Sequence, residues 1–412
     1  MTVPNTTEYA RLLEIVYDDE RIVDRVYTES EVARRLLSRQ KKNFVGGPLT
    51  FDWKYSGNEA VANTIAAAQA LIDHTHVVQV SLTRKTLLAV HRLDQELLDV
   101  AKQGKAAFVS AVTEETSSTE KAFAASLAAQ IYGNGGGAIA RLSATTTVNT
   151  ATIRLANKEM AARLRVGQTL EFDDTDGSGG GAVHVGSQVI TAIDYQTGDV
   201  TGALHWDDVV AGIAANDYVF LPGQFGIGWA GFDAYCPASA PGGADNFYGA
   251  NRSVSPTKLA GVRKAASGGT VEDAWIDAAT EAANLGLKLK QIVCNPYRLG
   301  IAAREAAGRT TFVATDSSDK AFGSKRITLA VPTTNGVLEI IPDPICPVGT
   351  DYFLDLEDFS IHSSPSGAPH MQRTLDGNIW HPVSTENQVE MRWASYANMK
   401  DRDPGNIMRV DF

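Results

Sequence analysis

Four acidic side chains lie close together in the last quarter of the sequence, and they are the group best spaced for acid–base chemistry. They are Asp351, Asp355, Glu357 and Asp358. Two neighbouring carboxyls can serve as a general acid and a general base, because each shifts the pKa of the other. Apolar residues alternate with these acids, so a strand here would turn the acids towards solvent. The pattern therefore favours a solvated strand face over a catalytic pair.

Two other segments have the residue types of a metal site. His74 and His76 would share one face of a strand, but the sequence places no third ligand beside them. The run from Asp173 to Gly177 begins like a calcium loop, yet it has no glutamate at the closing position. We expect a plain turn at 173–177, and the sequence predicts neither a metal nor a cofactor.

The glycines and cysteines give no catalytic signature. The glycines at 133 and 135–137 could cradle a phosphate only if a strand led in and a helix led out. The order here is the reverse, so they predict the end of a helix. The sequence has no Gly-x-Ser-x-Gly elbow. Cys236, Cys294 and Cys346 are far apart, which favours reduced packing residues over disulfides.

Composition narrows the class of protein. The chain has 412 residues, 44% of them hydrophobic, which predicts two to three globular domains. Its net charge of -11 argues against nucleic-acid binding by the chain as a whole. No apolar run approaches 18 residues, and the N-terminus lacks the layout of a signal peptide. We expect a soluble protein made in a cytosol, without a membrane contact.

One basic cluster stands out in this acidic chain. After a helical pattern over 6–42, five basic residues occur within nine positions: Arg34, Arg35, Arg39, Lys41 and Lys42. Contact with phosphate or with an acidic neighbour and a simple solvated helix face are about equally supported.

The segment 46–90 predicts a long two-stranded hairpin. Gly46-Gly47-Pro48 ends the helix, 49–55 and 77–82 alternate as strands do, and an Ala-rich stretch lies between them. An isolated hairpin of this length cannot bury its own faces. Another surface must therefore cover it.

The rest of the chain divides into regions of different periodicity. A long helix is predicted over 93–132, and a small β barrel or sandwich over 145–222. Residues 223–270 read as a long loop with brief elements. From 271 helices and strands alternate, beginning with a helix capped by Thr270, and 386–396 predicts a long final strand.

Several short motifs resemble the major capsid proteins of tailed phages, the Hong Kong 97-like family. The helix end Tyr132-Gly-Asn-Gly135 is similar to the end of the family's spine helix. Further similar stretches are 276–287, 291–296, 349–355, 386–392 and 399–404. Each motif is short, but their order along 44–412 is the order of the family.

The resemblance implies an α+β fold, the Hong Kong 97-like capsid fold. Its parts would be an N-terminal arm (1–45), an E-loop hairpin (46–91) and the P-domain spine helix with its following loop (92–144). They would continue with a β-rich P-domain region or insertion (145–222), an α/β A domain with adjoining loops (223–385), and the closing P-domain strand and tail (386–412). The N-terminus is too short for the cleaved scaffolding domain of some members, so a separate scaffolding protein is expected if one is used.

The function implied is that of a non-enzymatic shell protein. Hexamers and pentamers of one chain would build an icosahedral virion capsid in the host cytoplasm, with weak non-specific contact to packaged double-stranded DNA. Scaffolding, portal and decoration proteins are the further partners implied. Two alternatives stay open: an encapsulin-like cargo shell, and a soluble α+β enzyme that uses the Asp351–Asp358 carboxylates.

The resemblance also assigns contact residues. Trp53, Lys54 and Tyr55 on the hairpin are expected to meet a neighbouring subunit, and the basic cluster belongs to the arm. One branch of the family cross-links an E-loop lysine to a P-domain asparagine, with a glutamate seven positions further on. Asn387 matches that asparagine, but Ala394 stands at the glutamate position, so no cross-link is expected.

Overall fold

The computed structural model describes residues 30–57, 60–94, 106–266, 268–306, 327–330, 337–374, 376–383 and 388–412. None of the helices in these ranges is long and apolar enough to cross a membrane. The described chain forms two compact units. The first, which we call the barrel unit, comprises 30–43, 85–229 and 361–397; the second, the α/β unit, comprises 44–84, 230–360 and 398–412.

The elements are numbered in chain order. The helices are α1 (Glu31–Leu37), α2 (Ile65–Ala70), α3 (Ala106–Ile131), α4 (Trp206–Val209), α5 (Phe232–Tyr235), α6 (Pro256–Ala260), α7 (Val271–Asn284) and α8 (Pro296–Ala306), with 3-10 turns at Lys158–Arg163 and Arg252–Val254. The strands are β1 (Leu49–Ser56), β2 (His76–Leu82), β3 (Lys85–Asp94), β4 (Ala140–Arg141), β5 (Thr152–Arg154), β6 (Thr169–Asp173), β7 (Gln188–Asp194), β8 (Asp199–Gly202), β9 (Tyr218–Phe220), β10 (Val262–Ala265), β11 (Gln291–Cys294), β12 (Ile327–Ala330), β13 (Val337–Pro342), β14 (Thr350–Leu354), β15 (Phe359–Ser363), β16 (His370–Met371), β17 (His381–Pro382), β18 (Gln388–Asp401) and β19 (Ile407–Asp411).

The long helix α3 is the longest helix that the structure describes. Its 26 residues span about 39 Å at ~1.5 Å per residue. Phe123, Leu127 and Ile131 are buried along one stripe, as the periodicity predicts. The predicted start at 93 is wrong, because 93–94 belong to β3; residues 95–105 lie outside the described ranges.

Six short strands of the barrel unit form a sheet in the order β4-β9-β6-β7-β8-β5. The sheet closes because Leu142 pairs with Leu155 beside its two end strands, and the Ser143 amide donates to the Arg154 carbonyl at 2.9 Å. Apolar side chains fill the interior, among them Leu142, Phe172, Ile190, Val200, Trp206 and Val219. The β-rich body predicted at 145–222 is therefore confirmed as a small barrel. The segment around Val185 contributes only a single bridge, opposite Ala211.

Tightly packed glycines join the end of α3 to the barrel. A Cβ on Gly136 would lie 1.9 Å from the Asp176 carbonyl, and one on Gly137 would lie 2.0 Å from the Gln224 carbonyl. The Gly226 amide donates to the Gly136 carbonyl at 2.8 Å, so these loops are held backbone to backbone. The side chain of Lys85 donates to the Gly226 carbonyl, also at 2.8 Å, and burial lowers the pKa of that lysine. The predicted helix end is confirmed, and no side chain larger than hydrogen fits here.

A third sheet is built around β18. Along 388–397 this strand pairs antiparallel with β3, from Gln388 opposite Asp94 to Ala397 opposite Lys85. Strands β15, β16 and β17 also pair with β18. The sequence pattern did not predict β3: it extended the hairpin to 90, whereas the second hairpin strand ends at Leu82.

The α/β unit contains a mixed sheet in the order β10-β19-β14-β11-β13-β12. Thr270 caps α7 as predicted, by accepting from the Asp273 amide at 3.1 Å. Gly286 follows the helix with a φ of 75°, the left-handed conformation that favours glycine at a helix end. One face of the sheet and the two helices α7 and α8 share an apolar core that includes Trp275, Ile292, Phe353, Met408 and Val410. The cysteines at 236, 294 and 346 are free and buried, which confirms their predicted packing role.

Candidate functional site

The hairpin of β1 and β2 is anchored at its base within the α/β unit. Its strands pair from Leu49 opposite Leu82 to Ser56 opposite His76. Trp53 is only 2% exposed, and its indole N–H donates to the Asp401 carbonyl at 3.1 Å. Its ring stacks on Phe247 with 5.8 Å between centroids. This corrects our expectation that Trp53 meets a neighbouring subunit, because its side chain is already buried against its own unit.

The tip of the hairpin is apolar and exposed. Helix α2 has no buried residue, although its sequence is mostly alanine and isoleucine. The large side chains around it are Val61, Ile65, Leu71 and Ile72, which are 84%, 79%, 55% and 61% exposed. A solvent-facing patch of this kind usually marks an interaction surface. The sequence carries one signal for this patch, because the apolar residues of 59–72 are not confined to one face of a helix.

The other two predicted hairpin residues lie between base and tip. Lys54 is exposed, whereas Tyr55 is half-buried and stacks on His76 with 5.7 Å between centroids. His76 also contacts Asp73, with 2.9 Å between Nε2 and the carboxylate. These contacts fix the strands near the tip and leave Lys54 accessible.

The predicted basic cluster lies on and after α1, which Ser30 caps. Glu31 accepts from Arg34 at 2.7 Å and from Arg35 at 2.8 Å. Partial burial opposes the shift, but these hydrogen bonds lower the pKa of Glu31. Two of the five cations therefore share one internal carboxylate.

The other three cations, Arg39, Lys41 and Lys42, are exposed on a segment that is held in place. The Lys41 amide donates to the Ile361 carbonyl at 2.8 Å, and the Ser363 amide donates to the Lys41 carbonyl at 2.9 Å. The segment therefore presents positive charge from a fixed backbone within the barrel unit.

Asn387 lies outside the described residues. Its expected partner position, Ala394, is buried on β18. Glu390 is also buried, and it accepts from Arg392 at 2.6 Å and from Arg92 at 3.1 Å. The hydrogen bond from Arg392 is the main reason that the pKa of Glu390 is lowered.

The acidic run on and after β14 is not a solvated face, which corrects the sequence analysis. Asp351, Asp355 and Asp358 are all buried. Each has a separate partner: Trp275 donates to Asp351, Lys290 pairs with Asp355, and Arg402 pairs with Asp358. Glu357, the exposed member, also pairs with Lys290 at 2.7 Å. The carboxylates are therefore distributed among structural contacts rather than directed at one another.

The other motifs form local structure. Asp173 accepts from the Thr175 amide and Asp176 from the Ser178 amide, both at 2.9 Å, so the predicted turn is confirmed. Among the described residues, one trio of metal-ligating types has ligand atoms within 4.8 Å of one another: His205, Asp207 and Asp208, all exposed. Exposed acidic groups of this kind are common without a metal, and the sequence analysis did not identify them.

Comparison with known proteins identifies the fold of this chain. No family model matches the sequence, and no curated protein sequence matches it. A chain from the capsid asymmetric unit of cyanophage A-1(L) superposes with a TM-score of 0.51 at 12% identity, covering 93% of this chain and 92% of that one. The chain has a phage capsid fold. The α+β capsid architecture predicted from the order of the motifs is therefore confirmed.

Two other solved structures are similar to this capsid fold to a smaller degree. The capsid of an empty GTA particle matches with a TM-score of 0.44 and 12% identity, over 93% of this chain and 96% of that chain. The SrpI encapsulin from Synechococcus elongatus matches with a TM-score of 0.27 and 11% identity, over 37% of this chain and 52% of that chain.

Proposed function

We propose that this chain is the major capsid protein of a tailed double-stranded DNA phage, and that it assembles as hexamers and pentamers into an icosahedral head. The main support for this proposal is the capsid fold, which extends over 93% of the chain in the cyanophage comparison. The proposal includes the six segments from N-terminal arm to closing strand that the resemblance assigns. It also includes assembly in the host cytoplasm.

The hairpin tip supports self-assembly within this proposal. Its base is fixed by Trp53 and by the Ser81 amide, which donates to the Tyr248 carbonyl at 2.9 Å. Its tip exposes Ile65 and Ile72 to solvent in the isolated chain. An anchored base with an uncovered apolar tip suits burial on another copy, because the exposed apolar area is then removed from water. Lys54 and Tyr55 stay part of this proposed contact, whereas Trp53 acts through the hairpin's own anchoring.

The basic segment supports a weak contact with packaged DNA. Arg39, Lys41 and Lys42 are exposed and have a fixed backbone, whereas the chain as a whole carries a charge of -11. Cations presented in this way attract phosphate without reading base sequence. Scaffolding, portal and decoration proteins are further proposed partners.

The proposed role is structural rather than catalytic. The acids of the Asp351–Asp358 run have the spacing of an acid–base pair. Three of them instead bond separately to Trp275, Lys290 and Arg402. This arrangement favours a shell protein over the soluble-enzyme alternative. An encapsulin-like cargo shell is distinguished by the contents of purified particles, which would be a cargo enzyme instead of DNA.

The hairpin tip provides the test. We expect Ile65→Asp combined with Ile72→Asp to abolish particle formation while leaving the thermal midpoint of the subunit within about 2 °C, because exposed substitutions rarely change stability by more than ~0.5 kcal/mol. Sedimentation and electron microscopy of the purified protein measure assembly. Val185→Asp is the matched control, since Val185 is 81% exposed on the barrel, and we expect it to assemble normally.

Normal particles from the double variant would contradict the proposed tip contact. Absence of particles from the unaltered protein, in the presence of phage scaffolding components, would contradict the shell function itself. Trp53→Ala provides a contrast. We expect it to lower the free energy of unfolding of the subunit by about 3–5 kcal/mol, because it empties a buried aromatic site.

A further inference from the structure

Asp351 is a carboxyl placed in an apolar core. It lies on β14 opposite Val410 of β19, and it is fully buried. Side chains two apart on a strand share a face, so Asp351 lies on the same face as Phe353, a member of the core beneath α7. Its position is that of a hydrophobic residue.

The hydrogen bonds of Asp351 suit a neutral carboxyl better than a charged one. Oδ2 accepts from the Trp275 indole N–H at 2.8 Å, and Oδ1 has no hydrogen-bond partner. An ionised carboxylate away from water needs several donors, whereas a protonated one needs far fewer. Burial raises the pKa of Asp351 to about 7 from its ordinary value of 3.8.

The charged and titratable groups that face Asp351 lie on α8 and β11, whereas those of β19 face away. Helix α8 contributes Arg298, whose positive charge favours the carboxylate. Strand β11 contributes the thiol of Cys294, which burial keeps protonated by raising its pKa. On β19, Arg409 and Asp411 flank Val410 and so point to the opposite face of the sheet. Helix α7 contributes the uncharged Trp275.

Arg298 has an unused donor of its own. Its Nε is buried without a hydrogen-bond partner, while its Nη2 donates to the Val348 carbonyl at 2.7 Å. The guanidinium lies 3.8 Å from the centroid of the Phe412 ring. An orphaned acceptor on Asp351 and an orphaned donor on Arg298 thus occur around the same core.

We propose that Asp351 is a protonation switch between α7 and the sheet of the α/β unit. With its proton, the neutral carboxyl accepts from Trp275 and fits the apolar core. Without its proton, a buried charge is left with a single hydrogen-bond donor, and this cost weakens the packing of α7 on the sheet. This inference concerns the α/β unit alone and does not depend on the proposed shell function.

The direction of the pH dependence follows from the raised pKa. Between about pH 4 and pH 7 the folded chain keeps a proton that the unfolded chain has lost. The free energy of unfolding therefore falls as the pH rises through this window. Below the window both states are protonated, and above it both are ionised, so this group adds no further slope.

The first experiment counts protons. Urea unfolding of the full chain at several pH values gives the free energy of unfolding, and its slope against pH gives the number of protons linked to unfolding. We expect Asp351→Asn to release about one proton fewer on unfolding near pH 5.5 than the unaltered chain does. Asp277→Asn, an exposed carboxyl on the same α7, should keep the wild-type slope. An unchanged slope in Asp351→Asn overturns the proposal.

The second experiment locates the switch and does not require Asp351→Asn to fold. Amide hydrogen exchange of 271–284, corrected for intrinsic rate, should show protection falling as the pH passes about 7. Arg298→Gln removes the charge that favours the carboxylate, so the same fall should occur at higher pH. An unshifted fall in Arg298→Gln, or protection in α7 that does not change with pH, overturns the proposal.

Discussion

Asp401 is a second fully buried carboxyl, near the end of β18. One oxygen accepts from the Asp403 amide at 3.0 Å, and the other has no hydrogen-bond partner. Burial first, and then the neighbouring charges of Asp358 and Asp403, raise its pKa well above the ordinary value. The unfolded chain loses this proton at lower pH than the folded chain does, so Asp401 lowers stability as the pH rises.

This fall in stability with rising pH predicts the effect of Asp401→Asn. We expect the variant to be more stable than the unaltered chain near pH 8, by on the order of 1 kcal/mol, because unfolding then no longer gains from releasing the Asp401 proton, although the amide still lacks a full set of partners. Below about pH 4 the gain should vanish, since the Asp401 carboxyl is then neutral in both the folded and the unfolded chain. Urea midpoints at the two pH values measure it, with the exposed Asp208→Asn as control. An equal gain at both pH values would contradict the assignment.

At the residue scale the sequence revealed which acids were present but not which were buried. Alternation of Asp351, Asp355 and their apolar neighbours predicted one solvated face, because a half-exposed strand has that pattern. In the structure β14 lies between β11 and β19, and all five of its residues are buried. The covering helix α7 begins 79 residues before β14, and no local pattern records that packing.

At the element scale, local signals identified most of the architecture. The glycines after α3, the Thr270 cap and the alternation in β1 and β2 each specify a helix end, a helix start or a hairpin from neighbouring residues alone. Strand β3 had no such signal, since its partner β18 lies about 300 residues away. Two-residue strands such as β4 are likewise defined by closure of the barrel rather than by propensity.

The basic segment is an element whose proposed DNA contact can be measured. We expect Arg39→Gln, Lys41→Gln and Lys42→Gln together to weaken binding of the purified chain to double-stranded DNA. The salt slope should fall by about 0.9 for each phosphate that the variant no longer neutralises. Arg34 and Arg35 are left intact because they pair with Glu31.

Three exposed cations elsewhere give the control for that experiment. Lys158→Gln, Arg165→Gln and Lys258→Gln remove the same charge from other surfaces, and we expect the unaltered salt slope. An equally weakened control would mean that net charge alone governs binding. Unchanged DNA binding together with salt-sensitive particle stability would instead indicate an acidic surface on a neighbouring copy, against the DNA contact.

At the scale of the whole molecule, the order of motifs was more informative than any one of them. No single stretch identifies the fold, and at 12% identity to the cyanophage chain few side chains are shared. The fold is nevertheless shared over 93% of the chain, because a fold depends on the pattern of elements and on burial more than on individual side chains. A single sequence does not reveal assembly surfaces in this way, because the partner proposed for Ile65 lies on another chain.

The chemistry around β18 predicts that assembled particles contain no covalent link between subunits. Lysine is not a nucleophile at neutral pH unless a nearby carboxylate takes its proton. Ala394 cannot do this, and Glu390 is held by Arg392 and Arg92, which lower its pKa and so its strength as a base. Particles boiled in detergent and reductant should give a single band near 44.1 kDa on a denaturing gel. Particles first treated with glutaraldehyde provide the positive control. A ladder from untreated particles that Lys54→Arg abolishes would contradict the prediction and would identify Lys54 as the nucleophile.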